Sequence, residues 1–297
     1  MKKKIVALLV AMMCIASLFA GCGSSGGAAE ESKGTYIVGS GGLTETKLVA
    51  ELYSLALEDN GYTVERQLGL DMPQDALLAG DIDIYPDYTG TAYTRYMIND
   101  PMYDSDEMTR IVREYYATEK NIAVLEPSAI NNSYGIAMLK TKADEMGIKT
   151  FADLQSHAEE LVWGDWGFLA MPTTGRVRLE ELYGPFNFKG VVDIDMSLSY
   201  DMLDSGDVDV IPVCTTDAQL LNDKYYQLDP EKDVWCAYLL TPFVRQEVLD
   251  ESPEVEEILN NVSAKLDNKA IIELIYKCDV DMEDYTEVAK EFYEANF

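Results

Sequence analysis

The chain has 297 residues, of which 53 are acidic and 23 basic, with one histidine and a net charge of −30 at neutral pH. A surface of that sign repels nucleic acid and anionic lipid, both of which are bound through lysine and arginine. The length is ample for two lobes of ordinary size, and the five cysteines show no C-x-x-C spacing that would indicate a metal site.

Lys2, Lys3 and Lys4 precede an apolar run from Ile5 to Ala20, the layout of a secretory signal. The run is shorter than the roughly 20 apolar residues that span a bilayer stably, so residues 1–21 are expected to be removed. The stretch "FAGC" resembles a bacterial lipobox, which would make Cys22 the lipidated first residue of the mature chain; an ordinary secretory cut nearby is the alternative. Residues 22–33 are then a Gly/Ser-rich tether. Residues 21–26 fit G-x-G-x-x-G and residues 23–27 fit G-x-S-x-G, but neither pattern follows a strand or opens a helix, so neither carries weight.

From Thr35 onward the expected elements alternate. "TYIVGS" reads as a strand, "TETKLVAELYSLALEDNG" as a helix capped by Thr44 and stopped at Gly61, "YTVERQL" as a strand, "PQDALLAG" as a short helix, and "DIDIYP" as a third strand. "EPSAINNSYGIAMLKTK" reads as an extended crossover. The same grammar then returns: "ELVWGD", "GRVRLEELYG", "VVDIDM", "LSYDMLDSG" and "DVDVIPV". A second extended segment, "YYQLDPEKDVWCAYLLTPF", leads back, and the tail, with "VEEILNNVSAKLDNKAIIELIY", has helical patterning suited to packing on the first lobe. Such β-α-β-α-β units predict α/β layering with largely parallel sheets, and a cleft beyond the carboxyl ends of the strands.

The two units share a phrase. Gly80, Asp81, Asp83, Pro86 and Thr89 of "GDIDIYPDYTGT" recur as Gly206, Asp207, Asp209, Pro212 and Thr215, each 126 positions later. The register breaks where Tyr88 is matched by Cys214, and both are expected on facing loops just past the strands. A commonplace helix-to-strand turn would account for the first part of the match, though not for its continuation through proline and threonine.

The phrases "VGSGGLTE", "GDIDIYPDYTGT", "NNSYGIAM", "VCTTDAQL" and "AYLLTPFVR", in that order, resemble the substrate-binding proteins of quaternary-amine osmoprotectant ABC importers, which bind glycine betaine, carnitine or choline. The resemblance implies a two-lobed periplasmic-binding-protein fold of type II. It divides the chain into lobe one at 34–133 plus 239–297 and lobe two at 134–238. It also implies a monomer held outside the cell membrane by its lipid, with permease and ATPase subunits as partners, no cofactor, and a small quaternary-amine ligand.

A quaternary ammonium has no N–H to donate, so aromatic faces must hold it, at about 0.5–2 kcal/mol each. By resemblance, Tyr88, Tyr134 and Tyr238 occupy the cage positions, and Cys214 stands where relatives often place a fourth aromatic ring; Trp166, Phe168 or Trp235 would have to fill that gap. Ser40, Thr44, Thr89 and Thr215 are candidate hydroxyl donors to the ligand. Asp87 and Asp217 are candidate carboxylates near the cation, with helix capping as their alternative role. Gly41, Gly42, Leu43 and Thr46 replace the usual Lys, Asn, Phe and Gln, and Met171 stands where an Arg is usual, which favours a ligand such as choline that lacks a carboxylate.

Catalysis is the rival class, yet His157, the sole histidine, lies in the charged helical stretch "DLQSHAEEL", and no catalytic or metal-ligating set is read. A solute sensor, or a binder of another cationic amine or an amino acid, would use the same cleft.

Overall fold

The computed structural model describes residues 32–171 and 173–297. The leader, Cys22 and most of the tether therefore lie outside the described residues.

Strands β1 (Thr35–Gly39), β2 (Thr63–Gln67), β3 (Ile84–Tyr88) and β4 (Ile122–Val124) join β10 (Leu240–Arg245) in one five-stranded sheet, ordered β2-β1-β3-β10-β4. Strands β5 (Tyr134–Leu139), β6 (Val162–Asp165), β7 (Gly190–Asp193), β8 (Val210–Cys214) and β9 (Tyr225–Gln227) form the other, ordered β7-β6-β8-β5-β9. The repeated units appear as read from the sequence. The first is β1, α1 (Thr44–Asp59), β2, α2 (Pro73–Ala79) and β3; the second is β6, α6 (Arg176–Tyr183), β7, α7 (Ser199–Ser205) and β8. Between them lie α3 (Ser105–Tyr115), α4 (Lys140–Met146) and α5 (Phe151–His157).

The sheets are mixed, not largely parallel. The segments expected to be plain extended crossovers contain β5, β9 and β10, and these pair antiparallel: β10 with β3 and β4, β5 with β8 and β9. A chain that leaves one sheet to enter another arrives from the opposite end, which sets that direction. Tyr134 consequently lies opposite Cys214, and Tyr88 opposite Leu240.

The shared phrase does the same structural work twice. Gly80 and Gly206 end α2 and α7 in the left-handed conformation, φ +80° and +77°, which glycine adopts without a Cβ clash. Asp83 Oδ2 then accepts the Ile37 N–H at 2.8 Å, and Asp209 Oδ2 the Val162 N–H at 2.8 Å, so each aspartate ties its strand to the neighbouring one. Each is also ion-paired, Asp83 with Arg245 and Asp209 with Lys142. Thr89 Oγ1 accepts the Leu239 N–H at 3.2 Å, while Thr215 Oγ1 donates to the Asn131 carbonyl at 2.6 Å, pinning one crossover from each side.

Helices α8 (Gln246–Glu251), α9 (Glu254–Ser263), α10 (Asn268–Asp279) and α11 (Tyr285–Asn296) complete the chain. The helical tail breaks at Asp267, whose carboxylate accepts the Ala270 N–H at 2.8 Å and starts α10 anew. As expected, the tail packs on the first lobe: Leu259, Ile271 and Val288 share a buried core with Leu48, Leu52 and Val38. The second lobe has its own core around Trp163, Phe151 and Phe168.

Candidate functional site

Tyr88 and Cys214 are the last residues of β3 and β8, not loop residues beyond them. The antiparallel strand beside each is what extends the ladder to that point. Tyr134 opens β5, and Tyr238 precedes β10 in the return crossover. Tyr238 lies flat against Gly90, where an added Cβ would come within 2.7 Å of its ring and 2.6 Å of the Ala237 carbonyl. That glycine is required for the close approach rather than for its backbone angles.

These side chains share one neighbourhood. Burial, then the Glu45 carboxylate, holds the Tyr88 phenol well above its ordinary pKa. Burial, then Asp217 and Glu45, pushes the Cys214 thiol up to about 12. Burial and then Cys214 raise Tyr134, and Tyr238 is pushed up to about 12 by burial, Cys236 and Tyr134. Residues from both sheets and from both crossovers therefore lie near one another. Trp166, Phe168 and Trp235 surround Tyr134, with ring centroids 6.5, 5.5 and 6.2 Å from its own. All three lie in the second lobe, where they pack behind and beside Tyr134.

Glu45 lies against Tyr88 and Asn132, although the sequence reading passed over it. It lies in the first turn of α1 with only 3% of its surface exposed. Its Oε1 accepts the Tyr88 hydroxyl at 2.5 Å and the Asn132 amide at 3.4 Å, whereas Oε2 has no hydrogen-bond partner. Thr216 lies close enough to lower the carboxyl's pKa without completing a hydrogen bond to Oε2; burial outweighs these contacts and raises it. The signal was available: Glu45 falls on the stripe of Leu48, Val49 and Leu52, the face of α1 that is buried.

The remaining candidates are engaged with the protein. The Ser40 hydroxyl, fully buried, donates to the Gly41 carbonyl and accepts the Gly69 N–H. Thr44 is not the cap of α1. The extended residue there is Leu43, no side chain caps the helix, and the Thr44 hydroxyl donates to Asp279 at 2.8 Å. Asp87 accepts the Tyr85 hydroxyl and the Tyr88 N–H at 2.8 Å each, and burial lifts its pKa to about 6. Asp217 accepts the Tyr200 hydroxyl and the Cys214 N–H, and burial raises it too. Thr89 and Thr215 hold the crossovers as described. Beside Tyr88 a cavity of about 230 Å³ runs under the loop of Gly41 and Gly42, bounded also by Thr46, Asp87, Arg95 and Tyr96. An added Cβ at Gly42 would meet nothing within 4 Å.

Two mixed sheets joined by two crossovers, with strand ends facing across a gap, define a type II periplasmic binding protein. Residues 34–295 match the family described as the substrate binding domain of ABC-type glycine betaine transport systems, and the chain belongs to that family. Its members are solute-binding proteins rather than enzymes, and they work outside the cytoplasm. Among similar proteins, the glycine-betaine-binding protein of Pseudomonas aeruginosa is 28% identical over 297 residues, covering 96% of this chain and 93% of that one. The ergothioneine transport permease/ergothioneine binding protein EgtU of Helicobacter pylori is 28% identical over 256 residues, 84% of this chain; the chain spans only 46% of that longer protein. A solved structure described as a glycine betaine/carnitine/choline ABC transporter superposes with a TM-score of 0.80 at 22% identity, covering 88% of this chain and 98% of the other.

Proposed function

We propose that this chain is the lipid-anchored receptor of an ABC importer and closes its lobes, 34–133 plus 239–297 and 134–238, on a quaternary ammonium compound that it passes to permease and ATPase subunits. The cation is held by the rings of Tyr88, Tyr134 and Tyr238. Cys214 replaces a fourth ring, so one wall is smaller and softer and forgoes about 1 kcal/mol of cation–π attraction. The observation that carries this reading is the mutual proximity of Tyr134, Tyr238 and Cys214, together with the buried Glu45–Tyr88 pair, at the join of both lobes and both crossovers. Each lobe contributes contacts that exist together only in the closed form, and that differential affinity drives closure. Cys22 carries the lipid, and one chain suffices to form the site.

The ligand is longer than choline on a second observation. Cys214 removes bulk on one side, while on the other a cavity of about 230 Å³ lies beside Tyr88, with Gly41 and Gly42 on its wall. Arg95 on that cavity supplies a cation for a carboxylate, the role that neither Met171 nor the altered α1 loop can fill. The ergothioneine named for the Helicobacter relative is a betaine with a bulky ring and suits such a site. Thermal shifts with choline, glycine betaine, carnitine, ergothioneine and ordinary amino acids test the reading. A ligand at 100 times its Kd stabilises by about 2.7 kcal/mol, so at least one quaternary amine should raise Tm clearly and amino acids should not. Stabilisation by amino acids alone would overturn it.

A further inference from the structure

We infer that Glu45 is the counter-charge of the bound cation, and that its free Oε2 is the atom on which a ligand's positive centre or hydrogen-bond donor settles. The inference rests on the proposed quaternary-amine reading and adds an anionic partner to a cage otherwise made of neutral rings. Glu45 is all but completely buried, and one of its two oxygens is fully used while the other has no partner. An ionised carboxylate there is a buried charge with no cation beside it, a costly arrangement. A cation entering the gap completes it. The 2.5 Å bond from Tyr88 fits a hydroxyl that binds the charged form of the acid, so ring and carboxylate act as one unit.

Charge around the site favours the same occupant. Tyr88 on β3 and Cys214 on β8 are the titratable groups facing Glu45, with the neutral Asn132 and Thr216 beside it. Asp87 acts on Tyr88, Asp217 acts on Cys214, and Asp279 of α10 takes the Thr44 hydroxyl next door. No lysine or arginine acts on Glu45 among the described residues. Because burial raises its pKa in the empty protein, Glu45 keeps a proton there to higher pH than an ordinary carboxyl does and loses it when a cation binds. Binding therefore releases a proton and weakens as pH falls towards the ordinary carboxylate range.

Titration calorimetry with choline and with ergothioneine as separate probes, at mildly acidic pH in two buffers of different ionisation enthalpy, reads this directly. Wild type should bind with a buffer-dependent heat that reports proton release, and Glu45→Gln should lose that dependence and at least tenfold in affinity. Binding to wild type without buffer dependence, and unchanged in Glu45→Gln, would overturn the inference while leaving the quaternary-amine reading intact. The wild-type arm stands even where the variant fails to fold. Failure of choline and ergothioneine, and of glycine betaine and carnitine titrated alongside them, to bind wild type would overturn the parent reading, and this inference with it.

Discussion

Asp87 is buried at the end of β3 with Arg95 as the charge that opposes its desolvation, and its pKa of about 6 follows from that imbalance. In the unfolded chain the carboxyl returns to the ordinary range near 3.8. The folded state thus binds the proton more tightly, so the stability linked to Asp87 is complete below the unfolded value and is lost as pH rises through about 6. The difference is worth about 3 kcal/mol. Asp217 and Glu45, also raised by burial, act in the same direction. Asp87→Asn should flatten the pH dependence of Tm between about pH 4 and 6, measured by calorimetry against wild type; a profile as steep as wild type would show that Asp87 is not the group responsible. Residue chemistry also marks the limit of what sequence reveals. The tyrosines were legible as candidates because their phrases are specific and because a methylated cation demands rings. The engagement of Ser40, Thr44, Thr89 and Thr215 was not, since a hydroxyl near a strand end serves a ligand or a carbonyl equally well and only coordinates decide.

At the scale of elements, the turn after β3 and the crossover before β10 behave as one part because Tyr238 rests on Gly90. Gly90→Ala would drive a methyl group into that ring and into the Ala237 carbonyl, so either the ring or the turn must move. Calorimetric affinity for a quaternary amine should fall about tenfold or more, a loss of at least about 1.4 kcal/mol. Gly206→Ala is the control: its methyl meets open space, but its φ of +77° disfavours a side chain. It should cost about 1 kcal/mol of stability, read as a lower Tm, with affinity unchanged. Equal affinities in both variants would show that the contact does not position the site. The paired β-α-β-α-β units were readable from alternating β-rich and amphipathic runs closed by glycine. The antiparallel entry of β5 and β10 was not, because pairing direction depends on where the chain comes from and not on the composition of the strand. The helical patterning of the tail likewise runs through Asp267, and only the capping bond to Ala270 shows where the chain starts afresh.

For the whole molecule, two sheets with separate cores are joined by crossovers that bond to each other, Leu240 N–H to the Ile130 carbonyl at 3.1 Å and Asn132 N–H to the Tyr238 carbonyl at 3.1 Å. Asn132 and Tyr238 belong to these strapped segments, and Tyr134 follows at the start of β5. The internal repeat made this plan visible, and its break at Tyr88 against Cys214 pointed to the candidate site. What the repeat could not disclose was Glu45, which has no counterpart in the phrase and betrays itself only as an acid on an apolar helix face. The central claim is that the rings at this junction hold a methylated cation. Titration calorimetry of choline, glycine betaine and ergothioneine into wild type and Tyr134→Ala, with circular dichroism to verify the fold, tests it most directly. At least one of the three should bind wild type and bind the variant at least tenfold more weakly; equal affinities in a folded variant would contradict the account.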